Sequence, residues 1–307
     1  MAINRIVSFL PSATELIYEL GEQERIFGVT HECDFPKDAR TKPHVIESVF
    51  EPEKMSSKEI NEKILDLVTN GNEIYELQVN NLKKANPDLI ISQEICEVCS
   101  AYTNQVNNAM EILGTKPEIF VMNPHNIEGI LSNVDEISRK IGVVEKGVKL
   151  VNSLKKKIRY FEKKQISNKP RVLAIEWIDP FYTSGHWIPE MIELVGAKNL
   201  ISKRSEHSRE MTFDEIKNAD PDIIIMMPCG FDVQRTITEY DKTLKNNQDW
   251  QDIRAVKSKK VFAVDANSYF SKPSIRIITG IEVLGKIIHP EEFSKIQVPN
   301  GSFRKIN

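Results

Sequence analysis

Four cysteines and several histidines in this 307-residue chain are of types that can ligate a metal. Cys96-Glu97-Val98-Cys99 sets two thiols three residues apart. That spacing can hold Zn²⁺ or an iron–sulfur cluster, or serve as a redox pair once a thiol pKa is lowered. No second CxxC completes a zinc ribbon, so Cys33 and Cys229 are the candidates for third and fourth thiolates. The alternative is two small apolar core residues, since free cysteine is often buried. His31-Glu32-Cys33-Asp34 lines up an imidazole, a carboxylate and a thiol. His31 or Cys33 can reach a transition metal there, while Asp34 before Phe35-Pro36 equally suits a turn. His125, His186 and His207 lie on other loops and add imidazoles.

A second group is flat rather than ligating. Trp177, Tyr182, Trp187, Phe231, Tyr269 and Phe270 can present faces and edges to a large macrocycle, because aromatics bury much apolar area at low entropic cost. Trp177 follows a strand directly and suits a lobe core. Trp187 and Tyr269, beside polar loop residues, rank ahead of it as ligand contacts. Glu176, Asp179 and Asp265 can do acid–base work or meet polar groups at a ligand's rim, or simply cap helices. Ser12 is both a candidate ligand contact and, with Thr14, a candidate N-cap.

The elements that must carry these residues repeat. Arg5–Gly21 reads as an apolar strand, a turn, and a helix stopped by glycine. Arg171–Gly196 follows the same order with a longer loop, its helix starting near Pro189. Ala85-Asn86-Pro87-Asp88 precedes Leu89-Ile90-Ile91-Ser92, and Ala219-Asp220-Pro221-Asp222 precedes Ile223-Ile224-Ile225-Met226. Such continuous aliphatic runs suit parallel strands buried on both faces. Each half is therefore an α/β strand–helix series, which predicts two Rossmann-like lobes. Between them Val144, Val148, Val151, Leu154, Ile158 and Phe161 recur at helical spacing. The segment 143–165 is expected to be one long connecting helix of about 33 Å. The lobes are then 1–142 and 166–293, with 294–307 a frayed tail. Ligand loops belong at the carboxyl ends of the strands, in a cleft between the lobes.

Composition narrows the function. The apolar fraction of 40% and charged fraction of 28% are globular, and the net charge of −3 advertises no nucleic-acid partner. No apolar run approaches the roughly 18 residues of a transmembrane helix. Met1-Ala2-Ile3-Asn4 runs straight into the first apolar segment without a leader pattern. This predicts a cytoplasmic protein, the alternative being an extracytoplasmic one whose leader has been removed.

The motifs RIVSFLPSATELIYELG, HECDFP, PDLIIS with CEVC, EWIDPFYTSGHWIPEMIELVGAKNL, MPCGFD and DANSYFSKPSIRIITGIEVLG occur in that order over residues 3–293. Together they resemble the cluster III (helical-backbone) substrate-binding proteins of ABC importers, within them the cobalamin-binding-like branch. The resemblance implies two lobes bridged by a helix, a cobalamin-like corrinoid or iron chelate clasped between them, and an ABC permease as partner. It does not imply catalysis. The Asp-x-His-x-x-Gly pattern of corrinoid enzymes is absent. The rival expectation is a cysteine-ligated zinc or iron–sulfur protein on the same scaffold, since sites are grafted onto folds. Siderophore capture ranks last, because the candidate loops hold few basic residues apart from Lys272.

Overall fold

Short aliphatic runs, most of them followed by a turn and a helix, build two sheets that are parallel at their centres and antiparallel at edges. A computed structural model describes residues 2–94, 103–114 and 116–306. In chain order the first half contains β1 (Ile6–Ser8), α1 (Pro11–Glu19), β2 (Ile26–Thr30), β3 (His44–Ser48), α2 (Ser57–Thr69), β4 (Tyr75–Leu77), α3 (Val79–Ala85), β5 (Leu89–Gln93), α4 (Thr103–Leu113), β6 (Glu118–Met122) and α5 (Ile127–Lys140). Then comes α6 (Val144–Glu162). The second half contains β7 (Arg171–Trp177), β8 (Tyr182–Thr183), α7 (Ile188–Leu194), β9 (Lys198–Asn199), α8 (Phe213–Ala219), β10 (Ile223–Met226), α9 (Val233–Thr243), α10 (Gln248–Gln251), α11 (Arg254–Lys257), β11 (Val261–Val264), α12 (Ala266–Tyr269), α13 (Ile277–Ile288) and β12 (Phe303–Ile306).

The chain divides into two α/β units. The first comprises residues 1–55, 62–124 and 128–154; the second comprises 56–61, 125–127 and 155–307. In the first, the sheet order is β4-β3-β2-β1-β5-β6, with β4 the antiparallel edge. Val7, Phe9, Val45, Ile46, Leu82 and Ile90 are buried at its core. In the second, the order is β12-β11-β10-β7-β8, with β9 also on β7. Its core gathers Leu173, Ile175, Ile224, Met226, Trp250 and Ala263. The alternation of strand and helix gives parallel pairing in both, as the aliphatic runs predict.

Three local expectations change. Ser12 and Thr14 do not cap α1: Leu10 holds that position, Pro11 occupies the first turn, and Ser12 lies buried within the helix. A helix, α6, does run over Val144–Glu162, but its predicted apolar face is buried at Leu154 and Phe161, whereas Val144 and Val148 are exposed. Phe161 packs on Phe293, and Phe293 in turn lies against Gly285. The tail does not fray. Phe303–Ile306 pairs antiparallel with β11 and supplies an edge strand of the second sheet.

Candidate functional site

In the second unit the loops leaving β7, β10 and β11 carry the aromatic candidates. Trp177 ends β7, is half-buried, and meets Phe231 edge-on at 5.3 Å. Its indole Nε1 donates to the Ser57 carbonyl at 3.2 Å. Both the amide and the hydroxyl of Ser57 donate to the Glu239 carboxylate, which seats that turn. Tyr182 pairs with Trp177 across β7 and β8 and remains half-buried. Tyr269 is half-buried as well, with the Arg276 guanidinium 4.9 Å from its ring centre. Arg235 stacks in the same manner on Phe231, at 3.8 Å.

Other predicted contacts belong to the core. Trp187 is only 3% exposed, and its Nε1 donates to the Phe270 carbonyl at 3.0 Å. Phe231 and Phe270 are buried too. Burial therefore reverses the expected order of Trp177 and Trp187: the former keeps open surface and the latter does not. Asp265 caps α12 by accepting from the Ser268 amide at 2.9 Å, so its carboxylate has a structural partner.

The cysteines separate as well. Cys33 is 1% exposed, with its Sγ 3.2 Å from the Thr14 hydroxyl and 3.4 Å from that of Thr30. These hydroxyls seal it inside the first unit. Cys229 is half-buried in the second unit, its amide donating to the Glu176 carbonyl. Cys96 and Cys99 lie outside the described residues. Among the described residues, no group of three or more His, Cys, Asp or Glu is placed to hold a metal ion as it stands. The His31 ring rests near the Tyr75 ring, with Nδ1 3.3 Å from the Ile46 carbonyl, and Glu32 beside it is half-buried.

The arrangement that sequence reasoning missed is a histidine cluster in the second unit. Gly185 is what allows it. A Cβ there would lie 2.4 Å from the Ser208 nitrogen and 2.9 Å from the Glu206 carbonyl oxygen. The bare glycine therefore lets residues 183–186 and 205–209 run side by side. The His186 amide donates to Glu206 at 2.7 Å, and the Ser205 amide to the His186 carbonyl at 3.0 Å. The Thr183 amide donates to Arg209 at 2.8 Å. His125 joins through its neighbours, since the Ile127 amide donates to Glu190 and the Asn126 amide group to the Ser205 hydroxyl. The His186 ring lies 5.0 Å from that of His207 and 5.5 Å from that of His125, and the latter two are 5.3 Å apart. Burial drives the His186 pKa down to about 4, with His207 and then His125 adding to the fall. Burial, then His207, also lowers that of His125. His186 is thus held neutral at ordinary pH.

Comparison with known proteins places this geometry. The model of the family described as periplasmic binding protein matches residues 6–268. An uncharacterized ABC transporter substrate-binding lipoprotein of Bacillus subtilis, YvrC, is 25% identical over 299 residues, covering 95% of this chain and 82% of that protein. The vitamin B12 binding protein BtuF of Vibrio cholerae superposes with a TM-score of 0.67 at 17% identity, covering 96% of this chain and 99% of that one. The periplasmic heme-binding protein RhuT of Roseiflexus gives 0.68 at 17% identity, covering 94% and 98%. No described helix is long and apolar enough to cross a membrane. The cytoplasmic expectation is overturned, because a periplasmic family and a lipoprotein relative place such proteins outside the cytoplasm. That expectation leaned on the first residues of the chain, which do not decide compartment. With its two Rossmann-like α/β units, the chain belongs to the periplasmic binding protein family, as a cluster III substrate-binding protein of an ABC transporter.

Proposed function

We propose that the chain captures a metal tetrapyrrole, in the first place a cobalamin-like corrinoid, and presents it to an ABC permease. The observation that carries this reading is the set of half-buried aromatics Trp177, Tyr182 and Tyr269 on loops and strand ends of the second unit. Open indole and phenol surfaces suit a broad, flat ligand, which gains affinity from apolar burial and orientation from polar groups at its rim. BtuF supports the corrinoid. A second reading, haem, is supported by RhuT and by the guanidinium groups of Arg276 and Arg235 on aromatic rings. Guanidinium groups pair well with carboxylates, such as those of a haem rim. The cysteine-ligated alternative has no support in the described residues, where Cys33 is sealed by threonine hydroxyls.

The test is a titration of the full chain with cyanocobalamin, cobinamide and hemin, read by ligand absorbance and by calorimetry. Saturable one-to-one uptake of a corrinoid with a Kd in or below the micromolar range is expected. Trp177→Ala should weaken uptake by roughly thirtyfold, the loss of a central aromatic contact worth about 2 kcal/mol. Preference for hemin, with loss of binding in Arg276→Ala, would move the assignment to haem. Binding of neither class would falsify the tetrapyrrole reading.

A further inference from the structure

We propose that His125, His186 and His207 form a binding site for a divalent transition-metal ion of the zinc class. This inference is independent of the tetrapyrrole reading, because it concerns side chains within the second unit and an ion without a macrocycle.

The spacing of the rings is the main argument. Zinc–nitrogen bonds are about 2.0–2.1 Å, and the centre of an imidazole lies roughly 1.1 Å beyond its ligating nitrogen. Two imidazoles on one tetrahedral ion therefore have centres about 5.2 Å apart. The three separations here are 5.0, 5.3 and 5.5 Å. Three rings at this distance make a facial set, with a fourth position left for water or another donor.

A second observation points the same way. The Nδ1 atoms of His125 and His186 are buried and have no hydrogen-bond partner, and His186 as a residue is only 9% exposed. Buried polar atoms are normally paired. An ion ligated at those nitrogens would satisfy them. Their environment also keeps the imidazoles in the neutral form that metals require. The two strands of chain that Gly185 brings together fix His186 and the backbone of His207, so assembly needs no change of fold.

What remains is ring orientation, since the donor atoms do not surround a common point as they stand. His207 is exposed, so its ring can turn about χ2, which redirects its nitrogens while leaving the ring centre close to where it lies. The Trp187 ring, 5.5 Å from that of His186, supplies a built-in reporter.

The experiment titrates the full chain, free of any affinity tag and of corrinoid, with Zn²⁺ by calorimetry and with Co²⁺ by absorbance and tryptophan emission. One ion per chain is expected, with quenched emission for Co²⁺, a raised melting temperature, and loss of binding on acidification. His207→Ala, a surface change, should weaken binding by roughly tenfold or more, as should His125→Ala. His44→Ala, in the first unit, should leave it unchanged. Absence of saturable binding would overturn the proposal, and so would binding that persists undiminished in the His125→Ala/His207→Ala double variant. Corrinoid uptake tested separately on the same variants keeps failure of this site distinct from failure of the tetrapyrrole reading.

Discussion

At the amino ends of their central strands the two units use the same device. α3 ends on Asn86 and α8 on Asp220, both left-handed at φ 38° and 41°. A proline follows in each case and prevents the helix from continuing. Arg5 then donates from its guanidinium to the carbonyls of Ala85, Asn86 and Lys84. Arg171 does the same to Asp220 and Ala219. The Asp88 carboxylate receives the amides of Asn4 and Arg5, and that of Asp222 the amide of Arg171. At the carboxyl ends the likeness stops. The first unit places a sealed thiol and threonine hydroxyls near the ends of β1 and β2, whereas the second gathers half-buried aromatics on β7, β8 and α12 and three imidazoles on loops, one of which, His125, follows β6. The junctions at the amino ends repeat, and the loops at the carboxyl ends differ.

The largest effect that can sharpen this contrast is in the second core. Trp250 is fully buried, stacks on Phe181 at 5.8 Å, and donates to the Tyr240 hydroxyl at 2.9 Å. Trp250→Ala should destabilise the protein by about 3–5 kcal/mol, while Trp177→Ala should cost far less stability and act on uptake. Chemical denaturation of both variants checks the pair. Equal destabilisation would erase the distinction between core and site aromatics.

Gly185→Ala comes next. Its Cβ has no room beside Ser208 and Glu206, where the contacts are backbone and must shift. A loss of about 1–3 kcal/mol is expected. Ring contacts between His186 and His207 should be lost with it, visible as changed histidine resonances by NMR. Unchanged stability would mean that the loop gives way freely. The repeated junctions should respond alike: Asp88→Ala and Asp222→Ala are each expected to cost about 1–2 kcal/mol. Asp222 also pairs with Arg254 at 3.0 Å, a partly exposed ion pair that adds little. A difference well above about 0.5 kcal/mol between the two variants would show that the halves do not share the device.

What could be read from the chain itself divides along the same line. The junctions were legible because their chemistry is local: alanine, a polar left-handed residue, proline and aspartate lie within four positions, and aliphatic strands follow. The site was less so. Whether Trp187 is open depends on Phe270, a carbonyl 83 positions away. The histidine cluster unites residues from separate elements: the sequence offers the three imidazoles on loops, but nothing local brings them together, and the glycine that does so, Gly185, shows its role only through the backbone it lies against. β12 escaped notice because two of its four residues, Arg304 and Lys305, are charged and exposed, as suits an edge strand.

The smallest effect concerns His186 and pH. Its pKa falls from 6.5 in the open chain to about 4 in the fold. Above pH 6.5 both states carry the neutral ring, and its full share of stability is present. As pH falls, the unfolded chain takes up the proton first. Stability is therefore lost progressively between about pH 6.5 and about pH 4, and levels off below. The neighbouring His125 and His207 contribute to that shift and must be left in place. Melting curves run with a chelator should show the native chain losing roughly one or two degrees more than His186→Asn across this window. Parallel curves for the two proteins would mean that the ring is solvated in the fold, and the burial that sets the second unit's loops apart from the first would lose its clearest consequence.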